Sequence, residues 1–233
     1  MERLDKLLSA SGAYSRSEAR MLIRAGRVDV NGAAARSPEE KYDAGAAICV
    51  DGQPVTCARF RYVMLHKPAG VLSATEDRTQ KTVLDLLPRE LQRLDLFPVG
   101  RLDKDVTGLL LLTNDGALAH RLTGPKHHVP KVYRAALDAD VDEADAAAFR
   151  EGLVLSDGTV CRPAELLRDG ARRALITVYE GKYHQVKRMF AARGKHVLAL
   201  HRLRMGPLAL DDTLFAGQWR ELTGAERDAL LSK

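Results

Sequence analysis

The sequence predicts an α+β protein in two parts, a small N-terminal helical unit closed by short strands and a larger body built on a mixed or antiparallel sheet. Three observations carry this reading. A capping-box pattern places a short amphipathic helix near the start of the chain. Beyond it, strand and helix candidates intermingle without the regular β-α succession of a parallel sheet. A polar stretch with one proline, residues 53–61, separates the two and reads as a linker, so the parts are set at 1–52 and 62–233.

The N-terminal elements come first. Asp5 to Ala10 predicts a helix ended by Ser11 and Gly12. Ser15 followed by Glu18 is a capping box, in which each side chain satisfies a backbone donor at a helix start, so a second helix is expected from Arg16 to Ala25, stopping at Gly26. On it Ala19, Leu22 and Ile23 form a buried face, and Arg16, Arg20 and Arg24 recur every four residues along the opposite one. Such a guanidinium row can track successive phosphates or stand as a solvated charged face. Arg27 to Val30 reads as a strand entering a tight turn at Asn31-Gly32, and Ile48 to Val50, before Asp51-Gly52, as the closing strand.

In the larger part, strands are expected at Tyr62 to Leu65, Leu109 to Thr113, Val132 to Leu137, Ala174 to Val178 and Val197 to Arg202. Helices are expected at Val83 to Leu87, Ala117 to Leu122, Val141 to Gly152, Tyr183 to Arg193 and Ala225 to Leu231, the last with a capping box from Thr223 and Glu226.

A hydrophobic fraction of 45% over 233 residues supplies core for both parts. The longest apolar runs, such as Gly108 to Leu112, fall far short of the roughly 20 residues that span a bilayer, and Met1 to Lys6 lacks a signal peptide's apolar segment. A cytoplasmic protein without a membrane partner is expected. Cys49, Cys57 and Cys161 make neither an even disulfide framework nor a metal-ligand pair. The formal charge of +5 and a pI near 9.2 fit a polyanionic partner without requiring one.

Two segments carry a resemblance. Arg3-Leu4-Asp5-Lys6 to Gly12, Ser15-Arg16-Ser17-Glu18-Ala19, Gly26-Arg27-Val28 and Val30-Asn31-Gly32 together resemble the S4 RNA-binding domain, which favours phosphate contact for Arg16, Arg20 and Arg24. The string Gly100-Arg101-Leu102-Asp103-Lys104-Asp105-Val106-Thr107-Gly108, continuing through Leu112-Thr113-Asn114-Asp115-Gly116, resembles the central motif of the pseudouridine synthases that modify ribosomal RNA. Its aspartate aligns on Asp103. Alone, such an Asp would read as a cap or a surface ion-pair partner, but the length of the match makes it specific.

The other motifs of that family follow in order. His66-Lys67-Pro68-Ala69-Gly70 resembles the first, a basic residue and a proline leaving a strand, although Pro and Gly would favour a plain turn there anyway. Lys131-Val132-Tyr133 resembles the segment whose tyrosine lies against the target base, where a ring offers a flat surface to a base lifted from its stack. Glu180-Gly181-Lys182-Tyr183-His184-Gln185-Val186-Lys187-Arg188-Met189-Phe190 resembles the third. If helical, it puts His184, Lys187 and Arg188 on one face and turns Val186 and Phe190 into the core.

The resemblance spans almost the whole chain and implies an S4-like domain followed by a synthase domain that isomerises uridine to pseudouridine. Asp103 would be the catalytic carboxylate, Tyr133 would support the base, and a basic residue would pair with Asp103. Lys187 is the first candidate for that pair and Arg188 the next; many relatives carry arginine where this chain has Lys187, and a lysine cannot form a bidentate fork. Arg101 would hold the flipped nucleotide or its phosphate, with Lys67 and His184 as further substrate contacts.

Thr123-Gly124-Pro125-Lys126-His127-His128 and the third motif look most like the enzyme acting on 16S rRNA, at a site of the uridine-516 type. The implied partner is 16S rRNA or a small-subunit assembly intermediate, and the chain would act as a monomer. His127-His128 has no third ligand in sight, so no metal is expected.

Isomerisation breaks C1′–N1, turns the uracil and rejoins it through C5 without net redox change or energy input. It requires no cofactor. An ionised carboxylate could attack covalently or take the C2′ proton towards a glycal, and the sequence leaves both routes open. Three rival readings remain: a large-subunit 23S rRNA synthase, a non-enzymatic S4-type RNA-binding protein, and a magnesium-dependent phosphatase. The last is suggested by Asp103-Lys104-Asp105-Val106-Thr107 and lacks its expected downstream acidic segment.

Overall fold

Ser15 caps the second helix as the sequence requires. Its hydroxyl accepts from the Glu18 amide at 3.2 Å while the Glu18 carboxylate accepts from the Ser15 amide at 2.6 Å. The computed structural model describes residues 1–43 and 45–232. In it the first helix, α1, spans Leu4–Ser9 and the second, α2, spans Arg16–Arg24. Leu4, Leu8, Ala19 and Ile23 from these helices meet Val28, Val30, Ile48 and Val50 in one buried cluster.

One sheet of this unit is formed by β1 (Val28–Val30), β2 (Ala33–Ala34), β3 (Ile48–Val50) and β4 (Gln53–Val55), hydrogen-bonded antiparallel in the order β2-β1-β3-β4, beside a separate two-stranded ladder of Glu2–Arg3 with Lys41–Tyr42. Asn31-Gly32 and Asp51-Gly52 both lie at positive φ throughout, at 53° and 83°, and at 51° and 75°. Two successive residues of that kind match the twist of a two-residue hairpin. The second hairpin corrects the sequence reading: Ile48–Val50 does not close the sheet, because the turn returns the chain as β4, and residues 53–55 of the expected linker are strand.

By compactness the chain divides into Met1–Arg61 with Leu87–Phe97, and Tyr62–Leu86 with Pro98–Lys233. Residues 87–97, assigned from sequence to the larger part, thus go with the first unit. There Arg93 donates to the Ala13 carbonyl at 3.3 Å, and Gly12, at φ +79°, lies so close to the Glu90 carbonyl that a Cβ would come within 2.1 Å of its oxygen. A short helix, α3 (Arg89–Gln92), sits in this segment.

In the second unit β5 (Tyr62–Lys67), β6 (Thr107–Thr113), β7 (Lys131–Leu137), β8 (Glu165–Arg168), β9 (Arg173–Val178), β10 (Val197–Met205) and β11 (Trp219–Glu221) lie in the order β8-β9-β7-β10-β6-β5-β11. Neighbours run antiparallel except β10 beside β6, which is parallel, so the sheet is mixed, in an α+β fold. Leu109 to Leu112 are all buried, as a strand covered on both faces demands. Gly108 permits the parallel contact: at φ +106°, a Cβ on it would sit 2.3 Å from the Arg202 carbonyl oxygen.

Helices α4 (Gly116–Thr123), α5 (Glu143–Glu151), α6 (Gln185–Ala191) and α7 (Gly224–Leu231) complete the unit. Phe149 of α5 and Phe190 of α6 pack with ring centroids 5.1 Å apart in the main core. Two expectations shrink. Val83 to Leu87 is only a single 3₁₀ turn at Leu84–Leu86, since Pro88 disfavours helical backbone before it. The helix expected from Tyr183 begins at Gln185, because His184 takes a left-handed conformation at φ +47°.

Candidate active site

Asp103 is carried on the loop that leads into β6. Two buried side chains, Leu102 and Val106, pin that loop on either side of the carboxylate. The Leu102 amide donates to Ser73 Oγ at 3.1 Å, and the Ser73 hydroxyl lies 2.9 Å from the Leu102 carbonyl. From beneath, Lys67 Nζ donates to the carbonyls of Pro68, Lys104 and Val106 at 3.0, 3.2 and 2.9 Å. The Gly70 amide also donates to the Lys104 carbonyl, at 2.8 Å. The backbone around Asp103 is therefore fixed before any ligand arrives.

Lys67 thus departs from its expected role. It is fully buried and its three donors are spent on the protein, so it builds the loop and cannot reach a substrate. Burial pushes its pKa down to about 8, against the opposing charges of Asp105 and Asp103.

Helix α6 brings the cation. Lys187 Nζ lies 3.3 Å from Asp103 Oδ2 and 2.7 and 2.8 Å from the two oxygens of Asp105. Burial alone would lower the Lys187 pKa, but the hydrogen bond to Asp105 and the charge of Asp103 outweigh it and raise it. The Asp105 carboxyl is held low, first by its hydrogen bond from Lys187. A lysine cannot fork bidentately onto one carboxylate, and here it bridges two instead. In the sequence Asp105 stands inside the synthase-like motif and in the phosphatase-like pattern without a role of its own; the cation between that pair of carboxylates is Lys187.

Arg188 is not part of this group. It points about 100° around the helix from Lys187, and its guanidinium pairs with Asp157 and donates to the Tyr183 carbonyl at 3.3 Å. His184 does approach, with Nε2 3.6 Å from Asp103 Oδ1. Its left-handed backbone swings the ring there from just outside the helix.

Tyr133, on β7, is nearly buried and lines the same cleft as Asp103 and His184, a space of about 500 Å³ with Arg101 exposed at its edge. That volume falls in the range of roughly 300–1,000 Å³ usual for small-molecule sites. Behind Tyr133 the Arg202 guanidinium lies 6.0 Å from the ring centroid and donates to the Leu109 carbonyl at 2.7 Å. Lys131 and Lys182 also line the cleft. Burial lowers the Lys131 pKa, with Arg202 acting in the same direction. The sequence places Lys131 in the tyrosine motif and Arg202 at a strand end but gives neither a part in the site, because a buried cation in a strand has no periodicity of its own.

In the first unit the arginine row is only partly a free face. Asp5 is fully buried, and Arg20 and Arg16 reach it with Nε at 2.8 and 3.3 Å, beside Arg3 at 3.1 Å. Arg24 stays exposed. Arg16 and Arg20 remain about half exposed, so each can meet a phosphate while holding Asp5.

His127 and His128 diverge, the first packing edge-on to His120 and the second meeting Arg162. Among the described residues no group of three or more His, Cys, Asp or Glu is placed to hold a metal ion, and no helix is long and apolar enough to cross a membrane.

Comparison with known proteins adds to this geometry. Residues 61–192 match the family described as RNA pseudouridylate synthase, and residues 2–48 match the S4 domain. An uncharacterised RNA pseudouridine synthase of Bacillus subtilis is 46% identical over 229 residues, 96% of either chain. The ribosomal small subunit pseudouridine synthase A of Vibrio cholerae is 43% identical over 226 residues, 96% of this chain and 97% of that protein. The crystal structure of a pseudouridylate synthase superposes with a TM-score of 0.70 at 37% identity, covering 99% of this chain and all of the other.

Proposed function

This chain belongs to the RNA pseudouridylate synthase family, and we propose that it isomerises a uridine of 16S ribosomal RNA, with Asp103 as the catalytic carboxylate. The observation that carries the reading is that Asp103, Lys187 and Tyr133 line one recess, with the Lys187 ammonium 3.3 Å from the Asp103 carboxylate. The 16S assignment is supported by relatives named for the small ribosomal subunit that align over nearly the whole chain.

The chemistry follows from these groups. The target uridine leaves its stack and its base lies against Tyr133, which supplies a flat apolar face. Asp103, with the Lys187 ammonium 3.3 Å away, acts as a carboxylate that either bonds to the substrate or removes the C2′ proton as the C1′–N1 bond breaks. The freed uracil turns within the cleft and C5 bonds to C1′, displacing Asp103 on the covalent route or with Asp103 returning the proton to C2′ on the glycal route; the proton then lost from C5 is matched by one gained at N1. Asp105 shares Lys187 and so fixes the ammonium in front of Asp103. Arg101, exposed at the cleft edge, meets the phosphate of the flipped nucleotide, and His184 contacts the substrate beside Asp103.

The S4 unit supplies affinity for the RNA through Arg24, Arg16 and Arg20. The chain works as a monomer in the cytoplasm on 16S rRNA or a small-subunit assembly intermediate, at a site of the uridine-516 type. Pseudouridine mapping of both large ribosomal RNAs from cells with and without the gene tests this. Loss of one modification from 16S rRNA is expected; loss from 23S rRNA would move the substrate to the large subunit, and no loss would refute the assignment.

A further inference from the structure

Tyr183 is among the most exposed large hydrophobic side chains of the described residues, at 74%, yet its ring is ordered by a neighbour. It lies on the His184 imidazole with centroids 3.8 Å apart and planes inclined by 19°. One face of the phenol is therefore covered and most of the remainder is open to water. Both rings line the cleft that contains Asp103, and His184 Nε2 is itself 3.6 Å from Asp103 Oδ1.

The loop that carries this pair is anchored on all sides. Arg188 donates to the Tyr183 carbonyl at 3.3 Å, and Gln185 accepts from the Lys182 amide at 3.0 Å while donating to Glu180 at 2.8 Å. Lys182 Nζ donates to the Val160 carbonyl at 2.6 Å. His184 is held at φ +47°, a conformation uncommon for a residue with a Cβ. A strained backbone that stacks two rings at the mouth of a cleft, leaving an aromatic face uncovered, satisfies no need of the protein's own core. It does match what unpaired nucleic acid offers, since every base has a face that stacks on an aromatic ring.

Resting on the function proposed above, we propose that the Tyr183–His184 stack is a subsite for the base of an unpaired nucleotide adjoining the target uridine. Tyr133 and Asp103 occupy the interior of the cleft, where the target goes. Tyr183 stands at its mouth, one residue away from the group that approaches Asp103, which suits the next base along the strand.

The experiment uses the full chain and an RNA fragment containing the mapped target, with 2-aminopurine on the 5′ or 3′ side of it. Stacking quenches that fluorophore. Wild type, Tyr183→Phe and Tyr183→Trp should quench it at one of the two positions and bind alike. Tyr183→Ala should abolish the quench and weaken binding roughly tenfold, the scale of one base–aromatic stack, with the loss in KM rather than kcat. Quenching that survives in Tyr183→Ala, or a fall in kcat with KM intact, would overturn the subsite and leave Tyr183 a support for His184. A wild-type chain that forms no pseudouridine in any ribosomal RNA would bring down the proposed function, and the subsite with it.

Discussion

The Lys187 ammonium stands 3.3 Å from the Asp103 carboxylate, and it is held there by a second carboxylate, Asp105, at 2.7 Å. Removing the cation leaves the Asp103 and Asp105 carboxylates without the ammonium that both contact. Lys187→Ala should lower the single-turnover rate on the order of a hundredfold, and Lys187→Arg should recover part of it. Arg188→Ala, which loses contacts to Asp157 and the Tyr183 carbonyl, should stay within about fivefold of wild type. Equal losses in the two alanine variants would contradict the geometry.

Asp103→Asn keeps the size of the side chain and removes its charge and basicity. Pseudouridine formation should vanish while RNA affinity stays within about threefold, as measured by filter binding beside a tritium-release assay. Turnover at the wild-type rate would take Asp103 out of the chemistry.

How far the site could be read from sequence depends on the kind of signal. The capping box at Ser15 and Glu18 and the leucine run Leu109 to Leu112 were legible because local hydrogen bonding and burial on both faces dictate them. Asp103 was legible through its motif. The choice between Lys187 and Arg188 was not, because adjacent helix positions differ by about 100° in direction and both are basic. Nor was the demotion of Lys67, whose exposed-looking turn hides an ammonium that three carbonyls enclose. Edge strands such as Glu165–Arg168 also went unseen, since one exposed side blurs their alternation.

Lys67 gives a prediction in pH. Its folded pKa of about 8 lies below the ordinary 10.5, so between these values the unfolded chain binds more protons and stability rises with pH. Lys67→Met should lose this increment, of order 1–2 kcal/mol, and should also be destabilised at pH 7 by about 2 kcal/mol, since carbonyls of Pro68, Lys104 and Val106 lose their donor. Urea midpoints at pH 7 and pH 9.5 for both proteins check it. A midpoint difference between the two proteins that does not widen with pH would show that Lys67 is not titrating in this interval.

The buried Asp5 divides the arginine row into two classes. Burial alone would raise the Asp5 carboxyl, but hydrogen bonds from Arg3, Arg20 and Arg16 outweigh it and hold the group far below the carboxylate range. A depressed carboxyl contributes stability that is present above its unfolded pKa near 3.8 and is lost as pH falls below that value. Arg16→Ala with Arg20→Ala should therefore weaken RNA binding and also lower the melting temperature, with the destabilisation fading in acid. Arg24→Ala, with no share in holding Asp5, should leave the melting temperature unchanged while reducing the salt slope of log K by up to about one unit. Binding isotherms at several salt concentrations, set beside thermal melts at pH 7 and pH 3, separate the two effects. A melting temperature that falls as far in Arg24→Ala as in the double variant would mean that the whole row is structural, and an unchanged salt slope would make Arg24 a solvated charge away from the RNA.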